Sequence, residues 1–246
     1  MTKESHRVIG IIPARLGSSR FPNKVLAPIL GKAMIQYVWE AAQKSSALNE
    51  TLIASEDPEV IETAQRFGAK TVLTPNHFQS GTERVAWASR ETDADIIVNL
   101  QADEPLLQSS AIDLLVHGLI DSDCDFATLV VPMSGEAELN DPNIVKAVAT
   151  TQKRALYFSR QPIACDLDGH FLKHIGIYAY RKKALLQFCE WPPSPLEQRE
   201  RLEQLRALEN GMSAKLIWVD SDTVSVDRPE DIAKVESRLL RKGSTR

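Results

Sequence analysis

The chain has 246 residues, 43% of them hydrophobic and 25% charged, with a formal net charge of −4. That length suits one large α/β domain, or a domain with a substantial insertion, and it is enough to bury a sizeable core. The acidic balance argues against a nucleic-acid binder, which carries a basic surplus, but leaves room for a local basic cluster around a small anionic ligand. No stretch approaches the apolar length that spans a membrane, and the apolar run near the N-terminus is short and soon interrupted by Arg15, unlike a secretory leader. Cys124, Cys165 and Cys189 are far apart and show no CxxC or zinc spacing, as expected of a reduced, cytoplasmic setting. In that setting the glycosylation match Asn49-Glu50-Thr51 is chance.

In chain order, short continuous apolar runs at residues 8–12, 51–54, 71–73 and 96–100 read as buried parallel strands. Between them, Met34, Tyr37, Val38 and Ala41 fall at helical spacing. Val60, Ile61, Ala64 and Phe67 do so again, with Gly68 as a stop, and a third helix carries Val85, Ala86 and Ala88. The first half is therefore a βαβ series. The second half is less regular. Strands are expected at 126–131, 143–148, 174–180 and 215–219, a short helix at 184–189 and a charged helix near 196–208. Pro229 opens the last helix.

The strongest local signal is PARLGSSRFPNK, residues 13–24, directly after the first strand. Ligands in open α/β sheets bind outside the carboxyl ends of strands. Here Gly17 allows close backbone approach, Ser18 and Ser19 offer donors, and Arg15, Arg20 and Lys24 bring cations that could hold a triphosphate and stabilise departing pyrophosphate. The loop is neither a Walker A sequence nor a dinucleotide fingerprint, and on composition alone a solvated basic loop explains it equally well. Gln101-Ala102-Asp103-Glu104-Pro105 succeeds another strand, where acids suit Mg²⁺ or, alternatively, a turn or cap. Ser80-Gly81-Thr82-Glu83-Arg84 reads as a helix cap, with Arg84 one turn inside. Asp227, before Arg228-Pro229, reads as an N-cap. His174, Gly176 and Tyr178 share one strand face, and Arg160 closes the Tyr157-Phe158-Ser159-Arg160 segment. Glu203 and Gln204 read as ordinary exposed helix residues.

Taken together, IIPARLGSSRFPNK, SGTER, NLQADEP, ALYFSR, HIGIYAYR, PSPLEQRERLEQLR and VDRPED, in that order and spacing, resemble the 3-deoxy-manno-octulosonate cytidylyltransferases, the CMP-Kdo synthetases, over residues 8–239. The resemblance implies an α/β, Rossmann-like three-layer nucleotide-diphospho-sugar transferase fold with a mixed, mainly parallel sheet. It implies a single nucleotidyltransferase domain over 1–246, with a less regular sugar-binding and dimerisation region at about 126–210. Transfer of CMP from CTP to the acidic sugar Kdo, for lipopolysaccharide assembly, would be carried out by a cytoplasmic homodimer that binds neither nucleic acid nor membrane. In this reading Ala14, Arg15, Arg20, Lys24, Ser80, Arg84 and Gln101 contact the nucleotide, and Asp103 and Asp227 hold Mg²⁺. Arg15, Lys24, Asp103 and Asp227 serve the chemistry. Gln101, Arg160, His174, Tyr178, Glu203 and Gln204 face the sugar acid, with Arg160 or His174 meeting its carboxylate. Two positions depart from the family pattern: Ala102 and Asn23 stand where the family has glycine. The alternatives are the same reaction on 8-amino Kdo or a sialic acid, and a non-catalytic nucleotide sensor.

Overall fold

The computed structural model describes residues 6–18, 20–166, 169–220 and 223–243. Ser19, expected as a loop donor, lies outside them. The contacts gather into two compact units, residues 1–113 with 223–246 and residues 114–222, and the stretch 126–210 falls within the second.

The first unit begins with β1 (Val8–Ala14), a 3-10 turn at Lys24–Leu26, the small hairpin β2 (Pro28–Ile29) and β3 (Lys32–Ala33), and α1 (Met34–Gln43). It continues through β4 (Glu50–Ser55), α2 (Pro58–Arg66), β5 (Lys70–Leu73), α3 (Gly81–Ser89), β6 (Ile96–Asn99) and the start of α4 (Ser109–Ile120). Every residue of β1 is buried, as a continuous apolar run in a parallel sheet should be. β1 pairs in parallel with β4 on one side and β6 on the other, and β5 adds in parallel beyond β4. The chain thus builds outward through β4 and β5, then returns to the far side of β1. That reversal makes the carboxyl ends of β1 and β6 the switch point where open α/β sheets take ligands.

The second unit holds β7 (Phe126–Ser134), α5 (Glu136–Asn140), β8 (Lys146–Ala149), β9 (Ala155–Ser159), β10 (His170–Arg181), α6 (Lys182–Glu190), α7 (Pro195–Glu200), α8 (Gln204–Glu209) and β11 (Ala214–Trp218). β7 pairs antiparallel with β10 and parallel with β11, while β8 pairs antiparallel with both β10 and β9. The last helix, α9 (Glu230–Gly243), belongs to the first unit. There Val226 and Val235 pack with Ile29, Met34 and Leu106. No helix among the described residues is long and apolar enough to cross a membrane.

Two expected elements change shape. The single charged helix at 196–208 is two helices, because Arg201 takes a left-handed φ of 57° after α7 and turns the chain so that Leu202 and Leu205 enter a core with Phe158 and Val130. The strand expected at 143–148 starts only at Lys146, since Asp141 closes a turn by accepting from the backbone N–H of Asn143 at 2.8 Å. A further strand, β9, occupies the Tyr157-Phe158-Ser159 segment, where its partly exposed residues give a weak apolar signal.

Asn23 has φ 57° and ψ 22°, the left-handed conformation that glycine or asparagine tolerates, so the turn before Lys24 survives without glycine. Asn23→Gly should leave stability nearly unchanged, whereas Asn23→Val should lose about 1–2 kcal/mol in urea denaturation. Equal stabilities would show that the turn relaxes away from this conformation.

Candidate active site

At the switch point of the first unit, a cavity of about 200 Å³ is lined by Pro13, Ala14 and Arg15 after β1, Lys24 and Val25 from the 3-10 turn, Ser80, Gly81 and Arg84 from α3, and Gln101, Ala102 and Asp103 after β6. Four separate stretches of sequence thus supply one wall each. A Cβ at Gly81 would lie 3.2 Å from Cγ of Pro13, a tight approach that the proline ring would have to relax by a few tenths of an ångström. Ser80 caps α3 in a capping box with Glu83, and the positive end of the helix faces the cavity. On the β6 side, Gln101 Nε2 donates to Asn99 Oδ1 at 3.2 Å and Asn99 Nδ2 donates to Thr82 Oγ1 at 3.2 Å, tying the strand end to α3.

The basic loop is pinned at its start by Asp57, whose carboxylate accepts from the N–H of Leu16 at 2.7 Å. At its end, Lys24 Nζ lies 2.7 Å from Asp103 Oδ2 and 3.6 Å from Asp227 Oδ1, and Arg20 lies 3.4 Å from Asp227 Oδ2. Asp103 and Asp227 are far apart in sequence but adjacent in space, because the N–H of Val226 donates to the carbonyl of Asp103 at 2.9 Å. The Asp227 carboxylate meets Lys24 and Arg20 as well as preceding α9. The helix entry is bound instead by Asp231, which accepts from the N–H groups of Asp227 and Arg228. Arg20 and Asp227 stand outside the cavity lining and join it through Lys24. Arg15 is exposed at the cavity edge. A Cβ on Gly17 would meet nothing within 4 Å, so the space beside this loop is open.

Two carboxylates converging on one ammonium already form a cation site. Their hard oxygens fit Mg²⁺, which commonly takes one or two carboxylates and completes its shell with water and phosphate. Among the described residues, no group of three or more His, Cys, Asp or Glu is placed to hold a metal, so a phosphate ligand and water would have to complete the shell here. Ala102 is buried and does not need a positive φ, so its methyl group is accommodated without strain.

Arg84 lines the cavity, yet its guanidinium is bound to Glu56 and Thr74 and lies over the Phe78 ring at 5.7 Å. Its charge is therefore partly spent on holding α3 against the end of β4. Glu56 and Asp57 are site residues that the motifs do not reveal. The signal for them is Ser55-Glu56-Asp57-Pro58, a strand end running into a proline-initiated helix.

The other expected residues lie in the second unit. Phe158, Leu202 and Leu205 share one core, which draws Arg160 at the end of β9 and Glu203 and Gln204 at the start of α8 into the same neighbourhood. Arg160 is held by Glu200 from both ends: its N–H donates to Glu200 Oε2 at 2.9 Å and its Nε to the Glu200 carbonyl at 3.1 Å. Arg160 Nη1 donates to the carbonyl of Pro142 at 3.1 Å. The fully buried Lys146 donates to the carbonyls of Arg160 at 2.9 Å and Asp141 at 2.7 Å, and burial pushes its amine below the usual range. Gln204 is 3% exposed, not solvated, and its Nε2 has no hydrogen-bond partner among the described residues.

His174 and Tyr178 are both buried with ring centroids 5.5 Å apart. β10 has a bulge between Ile175 and Tyr178, which brings the two rings closer than simple alternation along one face would. Two extra residues are accommodated there, which preserves parity: His174 faces Val130 and Tyr178 faces Thr128 on β7. Burial pushes the Tyr178 hydroxyl well above its ordinary value, with Glu203 adding to the effect.

A family model described as Cytidylyltransferase matches residues 9–217, a span that takes in the cavity walls and most of the second unit. The chain belongs to the cytidylyltransferase family. It is 45% identical over 240 residues to the 3-deoxy-manno-octulosonate cytidylyltransferase of Acidobacterium capsulatum, covering 96% of this chain and 98% of that one. It is 41% identical over 243 residues to the enzyme of the same name from Chloroherpeton thalassium, covering 96% and 99%. A solved structure of CMP:2-keto-3-deoxy-manno-octonic acid synthetase complexed with CTP superposes with a TM-score of 0.91 at 38% identity, covering 96% of this chain and 99% of that one. Membership holds at the level of 3-deoxy-manno-octulosonate cytidylyltransferases, and the α/β fold is theirs.

Two measurements test the energetics of this cytidylyltransferase. Glu56→Ala leaves the Arg84 side chain, 3% exposed, without its carboxylate and should cost about 2–3 kcal/mol in urea denaturation. A loss under about 1 kcal/mol would mean that the guanidinium finds another anion. Burial lowers His174 to about 3, so between pH 6.5 and 3 the unfolded chain binds a proton that the native chain refuses. Stability should therefore fall as pH drops through that window by up to about 1.4 kcal/mol per unit, and the fall should be shallower by that amount in His174→Gln. Identical slopes would place the native His174 in an ordinary aqueous environment.

Proposed function

We propose that this chain transfers CMP from CTP to 3-deoxy-D-manno-octulosonate, forming CMP-Kdo and pyrophosphate. The observation that carries the reading is the Lys24 ammonium held between Asp103 and Asp227 at the mouth of a cavity on the sheet's switch point. The family membership supplies the substrate pair, and the CTP-bound relative supports the nucleotide.

Ala14, Ser80 and Gln101 line the cavity and are proposed to hold the nucleotide, with Gln101 also touching the sugar. The amino end of α3 favours phosphate there. Arg15, Arg20 and Lys24 neutralise charge that grows on pyrophosphate as the bond from the α-phosphorus breaks. Arg84 adds positive potential from a guanidinium fixed by Glu56. Asp103 and Asp227 would hold Mg²⁺, which supplies Lewis-acid polarisation of the phosphates and lowers the pKa of an attacking hydroxyl. The sugar is assigned to Arg160, His174, Tyr178, Glu203 and Gln204. Arg160 is the partner for its carboxylate, because the buried, neutral His174 carries no charge to offer one. In-line attack by the anomeric hydroxyl then needs positioning and electrostatics from the protein, not covalent chemistry. The setting as a cytoplasmic homodimer is proposed from the family resemblance.

Pyrophosphate release should require CTP, Mg²⁺ and Kdo together. Asp103→Asn should lower turnover by roughly 10³, several kcal/mol at about 1.36 kcal/mol per decade, while weakening CTP binding less. Turnover with a sialic acid or 8-amino Kdo but not Kdo would change the substrate; CTP binding with no turnover on any acidic sugar would leave a nucleotide sensor.

A further inference from the structure

The buried strand pair that carries His174 contains a hydrogen-bond relay. Thr128, on β7, is fully buried, and its hydroxyl meets three groups. Oγ1 lies 2.8 Å from the carbonyl oxygen of Ile177, 3.2 Å from that of Ile175 and 2.9 Å from His174 Nε2. The β10 bulge is what brings both carbonyls to one side chain, since two residues of β10 are inserted opposite a single step of β7.

A threonine hydroxyl has one proton and two lone pairs, and a carbonyl can only accept. At 2.8 Å from a carbonyl oxygen, Oγ1 must donate its proton to that oxygen, because two bare oxygens repel at that distance. The contact with His174 can then be a hydrogen bond only if Nε2 carries hydrogen and donates to Oγ1. His174 is buried edge-on against Phe158 at 5.0 Å and beside the Tyr178 ring, surroundings that disfavour a second ring proton. The neutral ring protonated on Nε2 leaves Nδ1 with a lone pair, an acceptor.

We propose that Thr128 is a positioning residue that locks His174 in the Nε2–H tautomer, so that His174 recognises a hydroxyl of the sugar through Nδ1 and leaves the carboxylate to Arg160. The recognition half rests on the function proposed above; the tautomer half does not. Thr128 has no part in binding CTP, and its effect is confined to the polarity of one ring. A ligand with a hydroxyl to donate is accepted there, and one presenting an acceptor is refused by lone-pair repulsion.

The test uses the full chain labelled with ¹⁵N-histidine, with the His174 signals assigned by their loss in His174→Gln. Two-bond ¹H–¹⁵N correlation spectra at neutral pH distinguish a protonated ring nitrogen from a bare one. The wild type and Thr128→Ser should show protonated Nε2 and bare Nδ1, while the near-isosteric Thr128→Val should lose that pattern. A wild-type His174 protonated on Nδ1, or on both nitrogens, overturns the proposal, and this result does not depend on any variant folding. In steady-state kinetics, Thr128→Val should raise KM for Kdo roughly tenfold with KM for CTP within twofold, and Thr128→Ser should restore it. Equal rises in both KM values, or no rescue by serine, would reduce Thr128 to a packing role and overturn it. If the tautomer is as stated but the wild type does not turn over Kdo, the tautomer lock stands and the substrate assignment falls.

Discussion

The two parallel ladders that flank β1 are the constraint on which the site depends. Backbone hydrogen bonds set β1 in register with β4 on one side and β6 on the other, so the ends of all three strands open at one edge of the sheet. The segments leaving β1 and β6 then become walls of the same site, the basic loop and Gln101 to Asp103, while Glu56 and Asp57 after β4 brace them through Arg84 and the N–H of Leu16. A strand slipped by one residue would turn every side chain to the opposite face. Continuous burial of β1 makes such a slip costly, and the register of the chemistry is inherited from that of the core.

Charge in the first unit is arranged in pairs that share partners. Lys24 bridges two aspartates, and Arg20 contacts one of the same two. Such a cluster balances its own carboxylates, which limits the repulsion that closely placed acids would otherwise impose. It also has cations ready beside any polyanion that enters. Arg84 shows the complementary strategy. Its guanidinium is desolvated and already bound to Glu56, so it acts as a fixed element of the wall.

The second unit works by burial and hydrogen-bond geometry more than by charge. Arg160 is held through backbone groups and carbonyls by Glu200, Lys146 and Pro142, which leaves its cationic charge without a direct carboxylate ion pair from these groups. Gln204 retains an amide nitrogen without a partner among the described residues, an expensive state in a buried side chain unless another molecule satisfies it. Burial lowers the pKa of His174, and its Nε2 lies 2.9 Å from the Thr128 hydroxyl.

Much of this is legible in the amino-acid order. Continuous apolar runs mark β1, β4 and β6, because buried strands need no alternation, whereas β5, expected to be buried, is an edge strand with Leu73 exposed; Gly68 marks the end of α2, where its φ is +88°. The loop cations at 15, 20 and 24 and the acid at 103 stand next to expected strand ends, so their chemistry can be read from local position alone. The meeting of Asp103 with Asp227 cannot, since it is made by one backbone hydrogen bond between segments more than a hundred residues apart. Nor can the engagement of Arg84 by Glu56, the break in the helix at Arg201 or the burial of Gln204, which local patterning assigns to an exposed face. The sequence by itself determined which residue types stand at the ends of which strands, because local periodicity depends only on neighbours along the chain. Only the tertiary structure decided which charges pair and which groups surround His174, because those depend on the partners that distant segments bring to each group.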